Sequence, residues 1–160
     1  MTVSSDDGTW TLGVMESPAR VVCRWRSDLT VPDPDRPVKV TVRVMFEHAR
    51  QEGMPVGDVE NDYLAAVEEA LVRELPAHGA VLALVVTGKG NREWVAYSAS
   101  QTWLADWSPV FADRWLTGRA AEIRAEADPN WTTYEMFSGG HAGQAHPRRG
   151  WGKWPRRGRG

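Results

Sequence analysis

A chain of 160 residues, 42% hydrophobic and 25% charged, has the size and composition of one soluble globular domain with a sizeable core. No apolar run approaches the roughly 20 residues that a membrane helix needs; the polar, acidic opening "MTVSSDDGTW" does not read as a signal peptide; and a single cysteine, Cys23, excludes an internal disulfide and a cysteine-rich zinc site. The net charge of −2 conceals an asymmetry, because residues 138–160 hold six Lys/Arg and no acid, leaving 13 basic residues against all 21 acidic ones before them, a balance of −8.

In chain order, "WTLGVM" (10–15) and "RVVCRWRS" (20–27) flank Glu16-Ser17-Pro18 and predict a hairpin. Val21, Cys23 and Trp25 share one face of its second strand, Arg24 and Arg26 the other. The prolines of "VPDPDRP" forbid helix and sheet interior, so this stretch is a linker. "VKVTVRVMFEH" (38–48) has the clearest period of the chain, with Val38, Val40, Val42, Val44 and Phe46 on one side of a half-buried strand. A helix follows, with Asp58 as its N-cap, an apolar stripe of Val59, Tyr63, Val67, Ala70 and Leu71, and Pro76 as its stop. Glu60, Asp62, Glu68 and Glu69 fall on its solvated face.

"VLALVV" (81–86) is apolar on both faces and reads as a buried strand, or one whose edge is covered. "REWVAYSA" (92–99) is the next strand. Between them, "GKGN" raises the question of a phosphate-cradling loop. Such a loop opens a helix, whereas the aromatic and β-branched residues that follow here predict a strand and hence a hairpin turn. Trp103, Trp107, Phe111 and Trp115 lie at spacing four on one kinked helix or two short ones, with Pro109 at the break and Gly118 at the end. "AAEIRAEAD" (120–128) alternates again, and its Glu122, Glu126 and Asp128 suit the polar face of an edge strand.

After the linker the order is strand, helix, strand, strand, helix, strand. This is the βαββαβ pattern of an α+β, ferredoxin-like antiparallel sandwich, with helices on one face and the other face open or partly roofed by the hairpin. The expected organisation is a single domain over 1–137, comprising the hairpin (10–27), the ferredoxin-like core (37–127) and a C-terminal DPxW segment (128–137), then a disordered basic tail (138–160). In the plain ferredoxin-like order the "VLALVV" strand is an edge, so either the hairpin or a second subunit covers it.

Gly53 and Pro55 before the first helix, Thr87-Gly88 with Arg92 and Tyr97 around the hairpin, and Asp128-Pro129, Trp131 and Tyr134 after the last strand resemble, in order and spacing over residues 37–137, the bacterial domain-of-unknown-function 695 family. That family looks like a relative of the ribonuclease E activity regulator B, which has a ferredoxin-like fold and acts by binding a protein. The resemblance implies a protein-binding or regulatory role and no enzymatic activity.

Arg92, Tyr97, Asp128, Trp131 and Tyr134 form the expected binding or structural signature, with Trp131 and Tyr134 folded back near Arg92 and stacked on its guanidinium. No catalytic constellation is legible. Cys23 sits among apolar neighbours as a core residue, no Gly-x-Ser-x-Gly elbow is present, and His48, His78, His141 and His146 lack metal-ligand spacing. The expectation is a cytoplasmic bacterial protein that is not an enzyme, with no cofactor, no metal, and a protein partner not specified by these residues. The alternative is single-stranded nucleic acid bound by the tail, through Arg148, Arg149, Lys153, Arg156 and Arg157 with stacking on Trp151 and Trp154.

Overall fold

The computed structural model of the chain describes residues 8–16, 19–50 and 53–139. It is a mixed α+β structure built on one antiparallel sheet. The strands are β1 (Trp10–Met15), β2 (Val21–Arg26), β3 (Val38–Met45), β4 (Val81–Gly88), β5 (Asn91–Ser98) and β6 (Ala121–Ala127). The helices are α1 (Gly57–Glu74), α2 (Leu104–Phe111) and α3 (Thr132–Phe137). The sheet order is β1-β2-β4-β5-β3-β6, and every neighbouring pair is antiparallel.

The alternation of β3 determines the layers. Val40, Val42 and Val44 are buried, and the last two join the core beneath α1 and α2. The N-terminal hairpin forms as expected, but it lies in the plane of the sheet: β2 pairs with β4 from Val21↔Gly88 to Trp25↔Leu84. It therefore covers the "VLALVV" edge within this chain and does not roof the open face. That face is closed in part by α3, by Leu29 and by Val31 of the linker, which pack with Cys23, Trp25, Tyr97 and Trp131. The helices are thus not confined to one side.

The helix α1 starts one residue before the expected cap. Val56 occupies the cap position in an extended conformation, and Asp58 sits in the first turn. Val67, Ala70 and Leu71 are buried as expected and Tyr63 packs partly buried against the core, but in the first two turns the buried positions are Glu60 and Leu64, and Val59 is exposed. A short 3-10 turn, Leu75–His78, ends the helix at Pro76. The Trp-rich segment is one interrupted helix. Pro109, which has no N–H, lies inside α2, and the chain continues as a π-turn over Ala112–Leu116. Trp107 and Phe111 are buried and stacked, with ring centroids 4.6 Å apart.

Gly88 pairs with Asn91 across a two-residue loop in which Lys89 has φ +54 and Gly90 φ +82. Two positive φ values are what the twist of a tight hairpin asks for, and β5 follows where a phosphate loop needs a helix. The loop before α1 docks on this turn: Gly90 N–H donates to Gly53 O at 2.8 Å. Gly53 has φ +80, and a Cβ there would lie 2.8 Å from the Lys89 backbone. Gly53→Ala is therefore expected to cost about 1–3 kcal/mol, read as a lowered urea midpoint with an unchanged slope.

Candidate functional site

Alternation along β5 separates the family-like residues into two places. Trp94 and Ala96 face α1 and α2, while Val95 and Tyr97 face the opposite side. On that opposite side four of the expected residues meet. Tyr97 is fully buried and stacks on Trp131, centroids 3.8 Å apart and planes 6° off parallel. The Tyr97 hydroxyl donates to Asp128 Oδ2 at 2.8 Å and accepts the Tyr134 N–H at 3.3 Å. Asp128 Oδ1 accepts the Thr132 N–H at 2.8 Å, and Oδ2 the Thr133 N–H at 3.2 Å, so this carboxylate satisfies the first turn of α3. Trp131, at φ +53, donates from Nε1 to Arg36 O at 2.9 Å, and Tyr134 donates to Arg26 O.

The electrostatics follow from those contacts. Burial pushes the Asp128 carboxyl up, but the Tyr97 hydroxyl and the two amides outweigh it and hold the group below the usual carboxylate range. Burial, reinforced by the neighbouring Asp128 charge, raises the Tyr97 hydroxyl well above its ordinary value. Asp128 was expected on the solvated face of an edge strand. It is instead buried just past the end of β6, because α3 folds over it.

Arg92 does not join this cluster. Five residues before Tyr97, it lies on the other face of β5, 4% exposed, and donates from Nε to Thr87 Oγ1 at 2.8 Å. Trp131 therefore stacks on a tyrosine ring and not on the Arg92 guanidinium. Burial lowers Arg92 to about 10. Around it the helix side carries ion pairs that the periodicity did not reveal. Arg24, with its guanidinium 4.6 Å over the Trp10 ring, pairs with Glu68. Glu60, 3% exposed, takes Arg119 on both oxygens, each at 2.8 Å. Glu60 and Glu68 thus lie on the buried side of α1, where a solvated face was expected. A stripe drawn as Glu60-Leu64-Val67-Leu71 contains the signal: an acid at an apolar position calls for a buried cation. Burial raises Glu60, and the Arg119 bonds overcome that and leave its pKa lowered.

Cys23 is buried, packs on the far side of β2 with Trp25, and has a thiol raised by burial to about 11, which leaves almost no thiolate at neutral pH. Among the described residues no group of three or more His, Cys, Asp or Glu is placed to hold a metal, and no helix is long and apolar enough to cross a membrane. Arg148, Arg149, Trp151, Lys153, Trp154, Arg156 and Arg157 lie outside the described residues.

The last strand forms one edge of the sheet, as β1 forms the other. β6 terminates the sheet order, with β3 on one side and, among the described residues, no strand on the other. Its Glu122, Arg124 and Glu126 are exposed and Ile123 is half-buried. A groove of about 330 Å3 runs beside it, between Ala121 and Ile123 on the strand and Pro109, Ala112 and Leu116 on the interrupted helix.

A model of a family of unknown function, DUF695, matches residues 8–137. No curated protein and no solved structure matches the chain.

Proposed function

The chain belongs to the family of unknown function DUF695, and from that membership we propose that it is a non-catalytic protein-binding or regulatory module whose working surface is the β6 edge with its groove. One observation carries this reading: a seven-residue strand ends the sheet beside a groove that Pro109, Ala112, Leu116 and Ile123 line together with the polar Ser108, Arg119 and Glu122. An open strand offers a row of main-chain donors and acceptors to an extended partner, and the adjoining groove accepts its alternate side chains. The aromatic and acidic signature serves a different end, since Tyr97, Asp128, Trp131 and Tyr134 are spent on each other and on the chain itself.

The core order β6-β3-β5-β4, with helices after β3 and after β5, supports a ferredoxin-like βαββαβ sandwich extended at the β4 edge by the hairpin. A kinship with the ribonuclease E activity regulator B and a bacterial cytoplasmic location belong to the same proposal. They rest on the residues around "TGKGNREWVAY" and on a chain whose single cysteine is a free thiol.

The test is affinity capture with the wild-type chain and with Ile123→Pro, which removes one outward donor from an edge strand where proline is tolerated. Loss of a protein that the wild type retains supports the edge. Equal recovery by both chains refutes it.

The basic tail favours a second reading, single-stranded nucleic-acid binding. Six cations and two tryptophans stand without an acid in residues 138–160, all beyond the matched 8–137. It predicts RNA affinity that disappears on truncation after Phe137, with a log–log salt slope approaching about −4 for six neutralised phosphates. Equal binding by full-length and truncated chains ends this reading.

A further inference from the structure

We propose that the β6 edge pairs with the β6 edge of a second copy of this chain, antiparallel and in one register centred on Ile123. This rests on the reading of β6 as the working surface and names the partner that surface takes.

The hydrogen-bonding direction of β6 is fixed by its two ends. Met45 N–H donates to Ala120 O at 2.9 Å, and Asp128 N–H donates to Pro37 O at 2.8 Å. Ala120 and Asp128 are thus in hydrogen-bonded positions toward β3, and the register between them is unbroken from Val38↔Ala127 to Val44↔Ala121. Hydrogen-bonded and non-bonded pairs alternate along an antiparallel ladder. The even-numbered residues of β6 therefore point their N–H and C=O at β3, and Ala121, Ile123, Ala125 and Ala127 point theirs outward.

A two-fold axis must then bring odd residues opposite odd ones, which leaves three central registers. Centred on Arg124, the pairing sets Arg124 against itself and Glu122 against Glu126, all like charges. Centred on Ala125, it matches Arg124 with Glu126, which Lys39 already holds at 2.8 Å, and sets Ala121 opposite Pro129, which has no N–H to give. Centred on Ile123, it places Glu122 opposite Arg124 twice, at non-bonded positions where side chains approach most closely, and opposes no like charges within the strand. In that register Ile123 meets Ile123 and Ala121 meets Ala125, extending the apolar side of each groove across the axis.

The charges suit this exchange. Arg124 already holds Glu122 of its own strand at 3.1 Å, with side chains 48% and 46% exposed, so swapping that partner for its equivalent in the second copy strips no buried pair. The same acids that guard an edge against indiscriminate pairing select one self-complementary alignment.

The experiment uses the full chain and reads mass by sedimentation and light scattering. The wild type is expected at twice 17.8 kDa. Arg124→Glu and Glu122→Arg, each of which opposes like charges across the axis, are expected to lose the dimer, and the exchanged pair E122R/R124E to regain it. These side chains are exposed, and circular dichroism confirms that each variant is folded. Ile123→Cys is expected to form a disulfide-linked dimer under mild oxidation, and Ala121→Cys, whose two copies sit far apart in this register, is not. A monomeric wild type at every concentration overturns the self-pairing, even where the edge captures a different protein. A dimer untouched by either charge reversal overturns it as well.

Discussion

Glu60→Gln lowers stability by about 3–5 kcal/mol, the usual consequence of stranding one member of a buried ion pair. Arg119 is then left 8% exposed on its side chain, with its guanidinium 3.9 Å over the Tyr63 ring and its main counter-charge gone. The loss is large because Glu60 joins three parts of the chain. It reaches from α1 to the turn before β6 through Arg119, and its Oε1 accepts the Glu47 N–H at 3.3 Å at the end of β3. Against a typical total of about 5–15 kcal/mol, this change removes about a fifth at the least and most of the total in a marginal domain. The double variant E60L/R119M removes both charges and is expected to recover most of the loss. Urea unfolding of the three chains measures this, and a single variant within about 0.5 kcal/mol of wild type contradicts it.

The same pair gives an acid limit. Glu60 and Asp128 both have carboxyls held below their ordinary range in the folded chain. Their stabilisation is complete above the unfolded pKa, near 4, and disappears as pH falls through the lower, folded values. The melting temperature of the wild type therefore drops on acidification in that window, and the drop is shallower in Glu60→Gln.

Trp131→Ala costs about 3–5 kcal/mol, as for other fully buried tryptophans. The indole is the lid on Tyr97: it stacks at 3.8 Å, meets Tyr134 edge-on at 5.7 Å, and ties the linker down through Arg36 O. Its removal releases α3, so amide exchange over residues 132–137 accelerates more than exchange in β3. Trp131→Phe keeps a ring against Tyr97 but forfeits the indole N–H, and loses about 1 kcal/mol beyond the smaller packing deficit. Unchanged exchange in α3 after Trp131→Ala contradicts this account.

The strands were legible because their period is short and their faces unequal. β3 needs only five alternating residues to declare itself, and the aromatic and β-branched start of β5 is enough to make "GKGN" a turn. Helix α1 was legible in extent and along Val67, Ala70 and Leu71, but not in its first two turns, where burial falls on Glu60 and Leu64 and Val59 is exposed. Glu60 escaped for the same reason, since its environment is set by Arg119, 59 residues on. Arg92 was assigned the wrong neighbour although parity was available: an odd separation from Tyr97 on one strand puts the two on opposite faces. Helix α3 left no periodic trace. It has six residues and starts at a tryptophan in the left-handed region, a conformation that tertiary contacts impose. The self-complementary register of β6 is written in "EIR", but it can be read only once the strand's free side is known.

The pairing of β2 with β4 also sets an order of events at the ribosome. Val21 must wait for Gly88, 67 positions later, before its ladder can close, and at about 5–20 residues per second that is several seconds of synthesis. Through that interval "RVVCRWRS" has only β1 to pair with, and its Cys23 and Trp25 face stays uncovered. The outer edge of the first hairpin thus stays open to misassembly, and to a chaperone's shelter, until β4 emerges.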